Sequence, residues 1–181
     1  HLASAPALEQ HLRQLPGAEP GCAFLFIVEK DLLAMKLAGR LRARLGKEFG
    51  MIEEEVFSFC WIVDFPMYEE DEETGQIVFS HNPFSMPRGG LEALESMDPL
   101  EILANQYDLV CNGYELSSGA IRNHRPDIMA RAFEIAGYPP EALEEKFGAL
   151  HGAFQYGPPP HGGIAPGIER ILMLLLGEEN L

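Results

Sequence analysis

The chain has 181 residues and carries 28 acidic against 13 basic side chains, a net charge of −15. Such an acidic surface disfavours non-specific binding to the phosphate backbone of nucleic acids. If the protein binds RNA, other parts of it must supply most of the phosphate contacts. No apolar run approaches the roughly 18 residues of a membrane span. The three cysteines share no metal-binding spacing, and unpaired thiols are typical of a reducing compartment. We therefore expect a globular protein of the cytoplasm.

Helical and strand patterns alternate in the first third of the chain. Apolar residues at helical spacing predict a helix over 7–15 and a second over 31–45, which Asp31 would cap. Between them, the run from Cys22 to Val28 predicts a short buried strand. A change in pattern near residue 52 indicates a boundary between two domains, 1–52 and 53–181.

Short strands are predicted in the middle of the chain. The β-prone run 57–63 should end at Asp64-Phe65-Pro66, because proline cannot donate to a strand ladder. Residues 67–79 have the pattern of a hairpin with an acidic, solvated tip. Residues 98–105 are predicted to form a short helix with Asp98 as its cap and proline at its first position.

The pair Asn112-Gly113 is the strongest hairpin signal in the chain and predicts two strands within residues 106–122. Helices are predicted over 126–136 and 140–154, and Pro166-Gly167 should open a last helix. Antiparallel strands with helices between and after them indicate an α+β fold, an antiparallel sheet flanked by helices.

The most informative stretch is Gly162 to Arg170, a glycine-rich loop followed by an apolar helix. Glycines allow backbone to approach a bulky or phosphorylated ligand, because no Cβ intervenes. Arg170 lies in the first turn of the predicted helix, where backbone amides already favour anions and a guanidinium can bind phosphate oxygens. The same pattern also occurs as a purely structural loop before an amphipathic helix.

Two carboxylates on the predicted hairpin form a candidate metal site. A two-residue turn would pair Val110 with Glu115 and Asp108 with Ser117, which places Asp108 and Glu115 on one face. Their side chains could hold one hard cation, such as Mg²⁺ carrying a polyphosphate. Solvated carboxylates on an exposed face are the alternative.

Arg122 and His81 are further candidates. Arg122 lies seven positions after Glu115, so an unbroken strand would place it on the opposite face, and a bulge within 117–119 would bring it back. Otherwise Arg122 is an ordinary surface arginine. His81 and Asn82 precede Pro83 in a turn from which side chains can reach a cleft, although a turn histidine is more often structural.

Four segments in this order resemble the C-terminal part of bacterial-type aspartyl-tRNA synthetases, which are class II aminoacyl-tRNA synthetases. They are Asp64 to Met67, His81 to Phe84, Tyr107 to Arg122, and Tyr156 to Arg170. The last of them is similar to the third signature motif of that class. Residues 1 to about 52 resemble the end of the α/β insertion domain of the bacterial-type enzymes.

The resemblance implies roles for matching residues. Asp108 and Glu115 would hold Mg²⁺ and ATP, and Arg122 would read the side-chain carboxylate of aspartate with His81 as a second substrate contact. The ATP-binding end of the third motif would comprise Gly167, Ile168, Glu169 and Arg170. Asn82 departs from the histidine that often follows His81 in the family, and Pro166 and Glu169 are variants of its pattern.

The implied reaction is ATP-dependent activation of L-aspartate, followed by transfer to tRNA, in a homodimeric enzyme. The first and second class II motifs and an anticodon-binding barrel have no match, so the resemblance implies a fragment that would not aminoacylate alone. Two alternatives remain: an asparaginyl-specific relative, and a non-catalytic binding or regulatory module derived from the same fold.

Overall fold

A computed structural model describes residues 6–53, 55–178 and 180–181. The chain divides into two compact units, residues 1–56 and residues 57–181. The domain boundary at residues 52 and 53 stays a prediction. None of the helices in the described ranges combines the length and the apolar character that a membrane crossing requires.

The first unit contains two helices, α1 (Pro6–Leu12) and α2 (Asp31–Glu48). Helix α2 begins at Asp31 with Lys30 as its N-cap, so the predicted cap is one residue off. The predicted strand over 22–28 is wrong: these residues form no strand, and Leu25, Phe26 and Val28 are exposed. A strand needs a partner for its backbone groups, and none of the described residues of this unit provides one.

The second unit is built on a four-stranded antiparallel sheet, which confirms the predicted α+β class. Its chain begins with β1 (Phe59–Pro66) and a small hairpin of β2 (Tyr68–Glu70) and β3 (Ile77–Phe79). Helix α3 (Gly90–Ser96) precedes β4 (Leu103–Cys111) and β5 (Tyr114–Ile121). Helices α4 (Pro126–Ile135) and α5 (Pro140–Phe154) follow, and then β6 (Gly162–Pro166) and helix α6 (Ile168–Leu176) complete the unit. The main sheet has the order β1-β4-β5-β6.

The turn between β4 and β5 is the predicted two-residue hairpin. Asn112 and Gly113 both have positive φ, 50° and 86°, as a type I′ turn requires. Val110 pairs with Glu115 as predicted, but Asp108 pairs with Ser118 and not with Ser117. The shift arises because β5 contains one extra residue, Leu116, between the pairs.

Two predicted elements have a different structure. The glycine-rich stretch 162–166 is a strand, β6, and not a loop; glycine is needed at Gly162, where a Cβ would lie 2.9 Å from the Ala120 carbonyl oxygen. Over 98–105 only a 3₁₀ turn, Pro99–Glu101, forms. Asp98 does cap it, accepting a hydrogen bond from the Leu100 amide at 3.0 Å, but the sheet takes the residues from Leu103 onward.

The core of the second unit lies between α4 and the small hairpin. The Tyr68 side chain is buried and its hydroxyl donates to the Ala132 carbonyl at 3.0 Å, while its ring stacks on Phe79 at 5.3 Å. Phe79 also contacts Phe133 of α4, with ring centroids 4.9 Å apart. The core thus fixes α4 and the hairpin against each other, beside the loop that follows β3.

That loop continues into a segment, residues 84–88, that is inserted between the start of β4 and the end of β5. The Met86 amide donates to the Ile121 carbonyl at 2.8 Å, and the Asn105 amide donates to the Met86 carbonyl at 2.9 Å. Ser85 pairs with Arg122 in an isolated bridge. The residues after His81 are therefore tied to the part of β5 that leads to Arg122.

Replacement of Gly119 by alanine should destabilise the protein by about 2–3 kcal/mol, because overpacking forces the surrounding backbone to move. A Cβ at Gly119 would lie 2.4 Å from the Gly163 carbonyl oxygen and 2.4 Å from Tyr107 Cε2. The Tyr107 ring crosses β5, and its hydroxyl donates to the same Gly163 carbonyl at 3.1 Å. Chemical denaturation measures the loss. Gly163→Ala is the control, since no atom lies within 4 Å of its Cβ position; equal losses in both variants would contradict the steric argument.

Tyr68 should make the protein sensitive to alkaline pH. Burial raises the pKa of the Tyr68 phenol, partly offset by the charge of Arg131. The unfolded chain therefore releases this proton first, so stability is intact below about pH 10 and falls above it by up to about 1.4 kcal/mol per pH unit. Denaturation of the wild type and of Tyr68→Phe between pH 8 and 11 tests this, with a shallower decline expected for the variant. Parallel declines would show that Tyr68 does not contribute.

Candidate functional site

The extra residue Leu116 brings three candidate side chains to one face of the sheet. Residues two apart on a strand, and residues paired between strands, share a face. Asp108 lies two residues before Val110 and so shares its face, and Glu115 shares that face because it pairs with Val110. Ser118 also shares the face, because it pairs with Asp108. Arg122 lies four positions after Ser118 and continues the pairing of β5 through its amide, which donates to the His161 carbonyl at 2.9 Å. The predicted bulge therefore exists, at Leu116 instead of within 117–119.

The same bulge anchors the start of α6. The Leu116 carbonyl accepts a hydrogen bond from the Gly167 amide at 2.7 Å. Arg170 Nη1 donates to the Glu115 carbonyl at 2.7 Å and lies 3.3 Å from Glu115 Oε1. Arg170 keeps further N–H groups beyond Nη1, since a guanidinium has five. The structure thus brings together Glu115, Gly167 and Arg170, and leaves part of the guanidinium for an anion.

Arg122 is half-buried at the edge of a cavity of about 400 Å³. Its guanidinium forms no hydrogen bond or ion pair with any side chain in the described part of the chain, although its backbone is held on both sides. A cation partly withdrawn from water is stabilised by an anionic partner. The cavity is also lined by Phe84, Phe154 and His161. Arg122 can therefore bind an anionic group that enters this cavity.

His81 lies outside the lining of that cavity. It is exposed at the start of residues 81–88, and its ring is in edge contact with Phe65, with centroids 5.2 Å apart at 77°. Asn82 accepts a hydrogen bond from the Phe84 amide at 2.9 Å through its side chain, and its carbonyl accepts from Gln106 Nε2 at 3.4 Å. The segment that carries His81 is thereby fastened to β4, while Ser85 fastens it to Arg122.

Asp108 and Glu115 offer oxygen ligands suited to Mg²⁺. Asp108 is half-buried, and the Glu115 side chain is 46% exposed. Within the described ranges there is no group of three or more His, Cys, Asp or Glu that could hold a metal alone. Mg²⁺ commonly binds through one or two carboxylates and completes its shell with water and substrate phosphates. The pair therefore fits a metal delivered with a polyphosphate.

Gly163 is a further candidate residue on structural grounds. It pairs with Ala120, which lies two residues from Ser118 and so shares the face of Asp108. Its φ is not positive and open space surrounds its Cβ position, so neither conformation nor packing requires glycine there. Such a glycine leaves room for a flat group against the sheet. The glycine-rich run marks this stretch in the sequence, but only the strand pairing distinguishes Gly163 from its neighbours.

Comparison with known proteins identifies the family. The family model described as tRNA synthetases class II (D, K and N) matches residues 11–181. An aspartate–tRNA(Asp/Asn) ligase of Acidiphilium cryptum is 64% identical over 176 residues, which cover 97% of this chain and 30% of that protein. An aspartate–tRNA ligase of Streptomyces coelicolor is 61% identical over 162 residues, covering 90% of this chain and 28% of that protein.

A crystal structure described as a putative aspartyl-tRNA synthetase from Leishmania major Friedlin shares 25% identity at a TM-score of 0.49, over 84% of this chain and 24% of that one. The chain spans about a third of the length of the curated relatives it matches. Since the family model covers all but the first ten residues, the chain belongs to the class II tRNA synthetases of the D, K and N group.

Proposed function

We propose that the chain forms part of the active site of an aspartate–tRNA ligase. The observation that carries this proposal is the bulge at Leu116, which puts Asp108, Glu115 and Arg122 on one face and ties Arg170 to Glu115. The two carboxylates suit a Mg²⁺ ion bound to a polyphosphate. The two arginines suit the phosphates and the carboxylate of an acidic amino acid. The relatives named aspartate–tRNA ligases, at 61–64% identity, support aspartate as that amino acid.

In this proposal Arg122 binds the side-chain carboxylate of L-aspartate. A guanidinium and a carboxylate form two parallel hydrogen bonds, which fix orientation as well as charge. The free guanidinium at the cavity edge supports this role. His81 contacts the same substrate from the segment that Ser85 joins to Arg122.

ATP binds along β6 and the first turn of α6. Arg170 pairs with its terminal phosphates, and Gly167, Ile168 and Glu169 line the approach at the start of the helix, where backbone amides favour anions. Asp108 and Glu115 would hold Mg²⁺, and the ion would supply positive charge that offsets the charge of the phosphates. Gly163 leaves space beside them.

The reaction is an in-line attack of the α-carboxylate oxygen of aspartate on the α-phosphate of ATP. The bond from the α-phosphorus to the oxygen that bridges to the β-phosphate breaks, giving aspartyl-adenylate and pyrophosphate. A hydroxyl at the 3′ end of tRNA then attacks the aspartyl carbonyl, and AMP leaves. The protein contributes positioning and charge neutralisation, since phosphoryl-group chemistry requires little covalent help. Arg122 and Arg170 are the catalytic residues in this sense.

We assign the reaction to the cytoplasm and to a homodimer. The free cysteines Cys22, Cys60 and Cys111 are consistent with a reducing compartment. Most contacts to tRNA are assigned to other regions, because this chain carries a net charge of −15.

Aspartate-dependent exchange of pyrophosphate into ATP tests the proposed reaction. The full-length protein should catalyse this exchange with aspartate, and not with asparagine or lysine, because the free Arg122 guanidinium selects a carboxylate. Exchange is measured with labelled pyrophosphate at saturating ATP and Mg²⁺. Exchange with asparagine alone would assign the chain to the asparaginyl-specific alternative, and a folded protein without any exchange would favour the non-catalytic module.

Substitutions of the two arginines should separate the two substrates. Arg122→Leu should lower kcat/KM for aspartate about a hundredfold or more, because removal of one partner of a buried charge pair costs about 2–5 kcal/mol. Arg170→Ala should instead raise KM for ATP and leave KM for aspartate near its wild-type value. Arg44→Leu is the control, as Arg44 pairs with Glu48 on the exposed surface of α2. Identical effects of the two variants on both substrates would contradict the assigned roles.

A further inference from the structure

Asp64 has an unusual backbone conformation for a residue inside a strand. Its φ is 62°, in the left-handed region that non-glycine residues rarely adopt. In the described ranges the other non-glycine residues with positive φ are Glu55 and Asn112, and both lie outside strands. Aspartate tolerates this region better than most residues, since its short side chain can hydrogen-bond locally. Residues in such strained conformations cluster at functional sites.

The conformation of Asp64 coincides with a break in the pairing of β1 with β4. Val63 pairs with Tyr107 and Phe65 with Ala104, so Asp64 alone lies opposite two residues of β4. After the break the ring of Phe65 contacts His81 edge-on, at a centroid distance of 5.2 Å. Edge-to-face contacts prefer a defined geometry. The residue that follows the break is thus the one that supports the His81 ring.

Arg88 joins Asp64 to the other end of the same segment. Its guanidinium donates to the Asp64 carboxylate, and its amide donates to the Leu103 carbonyl at 2.7 Å. Both side chains of the pair are about half exposed, 52% and 53%, so the ion pair adds little to overall stability. Residues 81–88 are thus held by Phe65 near their start and by Asp64 at their end. The contacts constrain geometry more than they stabilise the fold.

We propose that Asp64 and Phe65 are positioning residues that orient His81 toward the amino-acid substrate. Asp64 lies at the break in the pairing of β1 with β4 and binds Arg88, and Phe65 packs against the His81 ring. Neither residue touches substrate in this arrangement. The inference rests on the proposed function for its catalytic consequence, while the contact between Phe65 and His81 can be tested without any activity.

Substitutions at residue 65 test the contact itself. Phe65→Leu removes the ring and keeps an apolar side chain, whereas Phe65→Tyr keeps the ring. Phe59→Leu is the matched control, because Phe59 lies on the same strand, is 61% exposed and contacts no histidine ring in the described part of the chain. In the full-length protein labelled with ¹³C-histidine, the His81 Cε1–H resonance should shift in Phe65→Leu and remain in place in the other two.

The kinetic readout separates positioning from stability. In pyrophosphate exchange Phe65→Leu should raise KM for aspartate about five- to tenfold and leave KM for ATP and the melting temperature close to wild type. Phe65→Tyr, which keeps the ring, should leave KM for aspartate at its wild-type value. A variant that lowers the melting temperature and affects both substrates equally would show a structural role and overturn the proposal.

Substitutions at residue 64 separate the backbone conformation from the ion pair. Asp64→Gly keeps positive φ and loses the carboxylate, while Asp64→Ala loses both. We expect KM for aspartate to rise in the order wild type, Asp64→Gly, Asp64→Ala, with the His81 resonance shifting in the same order. If Phe65→Leu and Asp64→Ala leave that resonance at its wild-type position, the proposal is wrong. A wild-type protein without aspartate-dependent exchange would instead refute the proposed function, and the resonance would still decide the positioning.

Discussion

One extra residue in β5 determines the arrangement of the candidate site. If Leu116 were paired in regular register instead of forming a bulge, Arg122 would lie on the face opposite Asp108 and Glu115, because strand residues alternate. With the bulge, two carboxylates and one guanidinium share a face. The backbone groups that the bulge removes from the ladder do not remain unpaired, since the carbonyls of Glu115 and Leu116 accept hydrogen bonds from Arg170 and Gly167. The irregularity of β5 and the start of α6 therefore depend on each other.

The neighbouring strands show how closely this part of the sheet is packed. Tyr107 crosses β5 above Gly119 and donates to the Gly163 carbonyl, so three strands are joined through a position that cannot hold a Cβ. This contact lies on the opposite face from Asp108, because Tyr107 is its neighbour in the strand. One face of the sheet thus fixes the register of β6, and the other face carries the charged side chains. The separation leaves the candidate site residues partly accessible while the strands that carry them are packed on the other face.

The sequence predicted much of the second unit because its signals are local. Asn112-Gly113 specified a type I′ turn, and the pairing of Val110 with Glu115 followed from it. The helices over 126–135 and 140–154 followed from proline starts and apolar spacing. Prediction failed where the decisive contacts are distant in sequence. Residues 22–28 pair with no strand of the described ranges, and residues 162–166 form a strand because β5 lies beside them.

The sequence by itself determined the residue types of the site, their order along the chain and, through four matching segments, the family. It also allowed a bulge that would turn Arg122, but placed it one to three residues too late. Only the tertiary structure decided that the bulge lies at Leu116, that Arg170 reaches Glu115, and that the Arg122 guanidinium at its cavity has no counter-ion among the described residues. The physical reason is that a bulge and a free guanidinium depend on which groups remain unpaired after all strands and helices have packed. Which groups pair is a property of the whole fold, because the two groups of each contact come from segments distant in sequence.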